Sequence, residues 1–218
     1  MAVMGVVSLL LLFSVFKLLS GKDVETCKKH RENLESCKMF ARNPFFEPEL
    51  VVGRPWRIYY TWNMKFGSKC LDIVYRNVTK EIIHRVWSDM NEYLEYQPNW
   101  NAAALLLTIG TSRHEMLLFT DQGPAGSFIG VPNVIRDGNI PPLRKAVPLI
   151  KFNMKLVANG RFLVVMDCQT GVITLSSRSR NVSPSRSDIA STVAELGFGE
   201  GHPACTVDKN GDDHFLNK

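Results

Sequence analysis

Cysteine is the residue type in this chain whose positions carry the most chemical information. The five cysteines, Cys27, Cys37, Cys70, Cys168 and Cys205, are spaced 10, 33, 98 and 37 residues apart. A structural zinc site is usually built from close pairs such as Cys-x2-Cys, and none occurs here. The alternative chemistry is a disulfide framework, in which an odd count allows at most two bridges within the chain and leaves one thiol free or paired with another chain. The five histidines, His30, His84, His114, His202 and His214, are scattered, with no His-x3-His or His-Glu-x2-His pair. Neither a Gly-x-Ser-x-Gly elbow nor a phosphate loop is present. The reading is therefore of a non-enzyme with no metal site and no required cofactor. Asn77-Val78-Thr79 and Asn181-Val182-Ser183 are glycosylation sequons, the second followed by Pro184.

Two further segments resemble functional motifs but are better read as surface. Residues 176–187 alternate serine with arginine like a nucleic-acid-binding segment, yet they run into a helix cap. Residues 208–213 offer oxygen ligands like a calcium loop, but the glycine comes at loop position 4, where an EF-hand needs it at 6. No nucleic-acid partner is predicted. The net charge of +5 over 218 residues is too slight to compel an anionic one.

The cysteine reading depends on compartment. Residues 2–16 are uncharged and mostly apolar, and Lys17 closes the run, which falls short of the roughly 20 residues of a membrane span. Its length and position fit the apolar core of a secretory signal peptide over residues 1–21, with an uncleaved signal anchor as the alternative. A secreted, extracellular chain with no membrane span after signal removal retains disulfides. An N-terminal extension over residues 22–50 follows.

From residue 51 onward the chain alternates strand and turn signals. Strands are predicted at Arg57–Trp62, Leu71–Tyr75, Ala103–Ile109, Met116–Thr120, Ser127–Val131, Leu149–Val157, Arg161–Met166 and Val172–Ser176. Asn159-Gly160 is the sharpest hairpin signal, since a type I′ turn takes φ > 0 at both central residues. About eight short antiparallel strands predict an all-β sandwich or up-and-down barrel. Ile82, Ile83, Val86, Trp87, Met90, Tyr93 and Leu94 instead follow helical spacing, so residues 81–95 read equally as strand or helix, and a barrel strand there requires tertiary context to override the period. A helix is predicted over residues 184–197, beginning at Pro184 after Ser183 and stopped by Gly197. The tail, residues 208–218, is polar.

Three stretches in this order resemble the lipocalin family. Gly53-Arg54-Pro55-Trp56-Arg57-Ile58-Tyr59-Tyr60 is similar to its first strand, with one extra residue between glycine and tryptophan. Ile173 to Arg180 resembles its last strand with a basic residue, and the helix ending Ala194-Glu195-Leu196-Gly197-Phe198 stands where the family has its flanking helix. The middle signature is replaced by Ala158-Asn159-Gly160. Cys37, Cys70, Cys168 and Cys205 occupy the places of the four cysteines of the insect pigment-binding and blood-feeder salivary (triabin-like) lipocalins. The resemblance implies an eight-stranded antiparallel up-and-down barrel over residues 51–207, bridges Cys37 to Cys168 and Cys70 to Cys205, and Cys27 left unpaired. It further implies that Trp56 closes the barrel floor beneath the guanidinium of Arg178, a contact worth about 0.5–2 kcal/mol.

With Trp56 inward, period two places Ile58, Tyr60 and Trp62 on the same inner face as candidate ligand contacts. Trp87 joins them if residues 81–95 are a strand. The function implied is a secreted carrier of one small hydrophobic molecule of the pigment or bilin, retinoid, fatty acid or hormone class. The alternative is an interaction protein or protease inhibitor that meets a protein partner through surface loops, chiefly residues 121–148, or through Cys27.

Overall fold

The computed structural model describes residues 23–43, 45–66, 70–110, 114–141, 143–178, 183–207 and 213–214, with backbone alone for residues 23–28, 206, 207, 213 and 214. The predicted signal segment, the sequon at Asn181 and most of the tail lie outside the described residues, as does the side chain of Cys27. In chain order the elements are α1 (Asp23–Phe40), α2 (Pro48–Val51), β1 (Trp56–Trp62), β2 (Asp72–Asn77), α3 (Lys80–Met90), β3 (Ala103–Ile109), β4 (Glu115–Thr120), β5 (Ser127–Pro132), β6 (Ile150–Val157), β7 (Phe162–Asp167), β8 (Ile173–Arg178), α4 (Arg186–Leu196) and β9 (His202–Pro203). A two-residue pair, β10 (Thr206–Val207) with β11 (Asp213–His214), follows.

The sheet runs β2-β3-β4-β5-β6-β7-β8-β1, every neighbour antiparallel, and β1 pairs back onto β2 through Trp56 with Ile73 and Arg57 with Asp72. Eight strands thus close an up-and-down barrel with a helix after the last strand, which is a lipocalin-like topology. The β1–β2 seam is short. At Tyr60 and Thr61 the free edge of β1 pairs instead with Pro203 and His202 of β9. The Cys70–Cys205 disulfide then ties β9 to the start of β2, so the segment after α4 completes the wall. The Cys37–Cys168 disulfide fastens α1 to the end of β7.

Three apolar clusters follow from strand alternation. Inside the barrel, Trp56, Ile58, Ile73, Tyr75, Leu105, Leu107, Leu118, Phe128, Met154, Leu156 and Leu163 pack together, joined at one end by Phe46 and Val51. The outward residues Phe162, Val164, Met166, Ile173 and Leu175 are covered by Leu34, Cys37 and Phe40 of α1 and by Ile189, Val193 and Leu196 of α4. On the other flank Leu117, Phe119 and Val131 are covered by Val86 and Met90 of α3, with Leu94, Val134 and Val147.

The helical period over residues 81–95 needs no overriding. Thr79 caps α3 by accepting from the Ile82 amide, and the helix is an insertion between β2 and β3 lying against the outside of the barrel. The eight strands predicted outside this segment supply the whole barrel wall. The helix predicted from Pro184 starts two residues later: Ser185 is the cap, in a reciprocal box with Asp188, and Pro184 precedes it. Gly197 ends it at φ 65°, a left-handed conformation that suits glycine. The Asn159-Gly160 turn is a four-residue connection in which Ala158, Asn159 and Gly160 all take positive φ.

Candidate functional site

The inner face of the barrel shows a gradient of burial along its axis. Trp56 at the start of β1, Tyr75 near the end of β2, Leu105 at the start of β3, Leu118 in β4, Leu156 at the end of β6 and Leu163 at the start of β7 are all at most 2% exposed. These positions share one end, floored by α2: the Trp56 indole Nε1 donates to the Val51 carbonyl at 2.9 Å, and the Arg178 guanidinium lies 4.9 Å from its ring centre. Towards the other end the inward set changes to Phe66, Leu71, Ile109, Met116, Phe152 and Val165, which pack on the same cluster yet remain partly exposed. The floor is closed, and at the other end, the mouth, these apolar side chains are partly exposed, while Thr61 and Ile150 there are buried.

The predicted contact residues divide. Ile58 lies in the inner cluster. Tyr60 and Trp62 do not, because the β1–β8 register shifts between Ile58 and Tyr60 and that bulge reverses the faces of the rest of the strand. Tyr59 and Thr61 are fully buried in their stead, while Tyr60 and Trp62 pack in the outer cluster beside α4. Trp62 meets Phe198 edge-on at 5.4 Å and donates to the Gly199 carbonyl at 3.2 Å. Trp87 sits on α3 outside the barrel, 43% exposed and beside His84, so it is no wall residue. The mouth residues Met116, Phe152 and Val165 were missed, although β6 displays the signal: Phe152, Met154 and Leu156 alternate with Lys151, Asn153 and Lys155.

Polar groups are few on this inner face and several have no partner. Ser176 is paired across the sheet with Ile58 and Leu163, and Thr174 with Thr61 and Val165, which places both side chains on the inward face. The hydroxyls of Tyr75, Thr174 and Ser176 are buried with no hydrogen-bond partner among the described residues. Burial pushes the Tyr75 phenol well above its usual pKa, so it stays a neutral donor and acceptor.

A second depression lies outside the barrel, a cleft of about 570 Å³ lined by Arg85, Asp89, Ile135 and Arg136. Its charged groups converge on Glu115, although Arg85 Nε has no hydrogen-bond partner among the described residues. Arg85 Nη2 donates to both oxygens of the buried Glu115 at 2.9 and 2.7 Å, Asn133 Nδ2 bridges Glu115 and Asp89, and Arg136 approaches Glu115 at 3.4 Å. The cluster pins α3 and the turn after β5 to the start of β4. Asn77, the first sequon, is exposed at the end of β2. Among the described residues no helix is long and apolar enough to cross a membrane.

The chain matches no protein-family profile, no curated protein and no solved structure. Its class is accordingly defined by topology: a closed, eight-stranded, lipocalin-like barrel with two disulfides.

Proposed function

We propose that this protein is a secreted carrier that holds one small hydrophobic molecule in the barrel through its open end, without chemistry on the ligand and without a cofactor. The observation that carries this reading is the difference in burial: inward apolar side chains are sealed at the Trp56 floor and partly exposed at the other end. Eight strands enclose an interior wide enough for one small ligand. Burying apolar surface there is worth about 25 cal/mol per Å². The two disulfides support an oxidising compartment, and the positions of their four cysteines support kinship with the insect pigment-binding and blood-feeder salivary lipocalins. The ligand class is a pigment or bilin, retinoid, fatty acid or hormone.

A specific observation favours a second reading, in which the protein meets a protein partner through its loops. Tyr96, Ile140 and Leu143 are 67%, 75% and 64% exposed on the segments flanking the outer cluster of α3. The predicted loop over residues 121–148 is interrupted by β5, so this surface is confined to the segment after Pro132 and its neighbour before β3.

Absorption spectroscopy of the purified oxidised protein, with mass spectrometry of its organic extract, separates the two. The carrier reading expects an extractable apolar molecule, or tryptophan quenching on titration with a panel of the four classes. A colourless protein with an empty extract and unchanged emission across the panel contradicts it.

A further inference from the structure

The inner face of the barrel is not uniformly apolar, and near the Trp56 floor its exceptions include buried hydroxyls. Trp56 is paired with Ile73 of β2 on one side and with Arg178 of β8 on the other. Tyr75 lies two residues beyond Ile73, and Ser176 two residues before Arg178, so their inward side chains flank Trp56 on the two strands that border β1. Thr174 continues the β8 row towards the mouth. Tyr75 and Ser176 are 0% and 1% exposed, and neither hydroxyl has a hydrogen-bond partner among the described residues. A buried hydroxyl without a partner is destabilising, and its retention in the interior of a barrel points to a group that arrives from outside.

The charge of that group is constrained as well. Among the paired positions on the inward rows the charged side chains are Asp167, opposite Phe152 at the mouth end, where it accepts from the amides of Gln169 and Thr170, and Arg178. Arg178, at the floor, donates to the Leu50 carbonyl and lies over the Trp56 ring. A carboxylate drawn to this depth meets hydroxyls rather than a counter-ion, whereas a ligand hydroxyl or carbonyl replaces its water hydrogen bonds with those of Tyr75 and Ser176.

We infer that the barrel selects an uncharged amphiphile, an apolar molecule bearing one hydroxyl or carbonyl group, which enters polar end first and hydrogen-bonds Tyr75 and Ser176 while its apolar body lies against Ile109, Met116, Phe152 and Val165. This inference rests on the carrier reading and narrows its ligand class. Neutral alcohols, aldehydes and ketones fit; free fatty acids do not.

The test is calorimetric titration of the full oxidised chain at neutral pH with four probes of one chain length: decan-1-ol, decan-2-one, decanoate and 1-chlorodecane. The alcohol and ketone are expected to bind at least about tenfold more tightly than decanoate. Tyr75→Phe and Ser176→Ala, each removing one oxygen, are expected to weaken alcohol binding about 5- to 10-fold and to leave chlorodecane unchanged, the factor for one lost hydrogen bond of about 1 kcal/mol or a little more. Because the hydroxyls are unpartnered without ligand, neither variant should melt below the parent. Binding of all four probes with no preference, or variants that bind the alcohol as the parent does, overturns the inference and leaves the carrier reading standing. Failure of every probe to bind overturns the inference, and the carrier reading falls with it only if the extract is also empty and the ligand panel leaves tryptophan emission unchanged.

Discussion

Trp56 joins three parts of the fold through one side chain. Its ring belongs to the inner cluster, its Nε1 holds the Val51 carbonyl of α2, and Arg178 from the last strand covers it. Trp56→Phe keeps an aromatic ring but leaves the buried Val51 carbonyl without its donor, at a cost of about 1–3 kcal/mol. Urea unfolding should show that loss as a lower midpoint with an unchanged slope. Asp167 shows the opposite economy. Burial raises its carboxyl pKa, although the side chain accepts from the amides of Gln169 and Thr170. An acid whose folded pKa is raised binds its proton more readily folded than unfolded, so its contribution to stability falls as pH rises from the ordinary aspartate range near about 4 through the folded value. Asp167→Asn keeps the acceptor oxygen and loses the ionisation. Its stability relative to the parent should therefore rise between pH 3.5 and pH 7, as thermal melts across that range would reveal; a constant difference contradicts the assignment. The Trp56–Arg178 pair was legible in the sequence through resemblance, because both residues belong to recognisable strand ends. The outward turn of Tyr60 and Trp62 was not, since a bulge adds one residue to the backbone count without a glycine or proline to announce it.

At the scale of elements, all eight predicted strands fall within one or two residues of β1 to β8, because β-branched and aromatic runs bounded by turn residues report strands directly. The helices were less evenly visible. The stripe Ile82, Val86 and Met90 stated α3 correctly, and the conflict with a barrel came from assuming that every apolar segment must be a strand of the wall. In α1 the sequence is polar on nearly every side, and among the described residues its apolar contacts with the barrel are Leu34, Cys37 and Phe40, a stripe too narrow to stand out. Met90, fully buried at the C-terminal end of α3, is the most direct probe of that docking. Met90→Ala should cost about 2–5 kcal/mol in equilibrium unfolding. The seal at the β1 edge has a different support. A Cβ on Gly201 would stand 2.5 Å from the Thr61 carbonyl and 2.5 Å from the Tyr60 ring, so only glycine lets the chain after α4 lie on β1. Removing the bridge that follows, with Cys70→Ser and Cys205→Ser together, should cost about 2–5 kcal/mol. Hydrogen exchange should then quicken at the Ala204 amide, which donates to the Tyr59 carbonyl, more than at β4 or β5.

For the molecule as a whole, two helical layers on opposite flanks free the barrel interior from the task of supplying the entire core. Outer clusters beneath α1 and α4 and beneath α3 bury large side chains independently of what the mouth contains. Net charge contributed nothing to this picture, while the cysteine positions, strand periods and turn signals defined most of it. The direction of the accessible end came from burial alone. Methionine methyl resonances report that end most directly: Met116 and Met154 lie in the inner cluster, whereas Met90 and Met166 lie in the two outer ones. In a titration of the methyl-labelled protein with decan-1-ol, the account predicts saturating shifts of Met116 and Met154 at one equivalent, with Met90 and Met166 unmoved. Shifts confined to Met90 or Met166, or no shift at Met116 and Met154 at saturation, would contradict it.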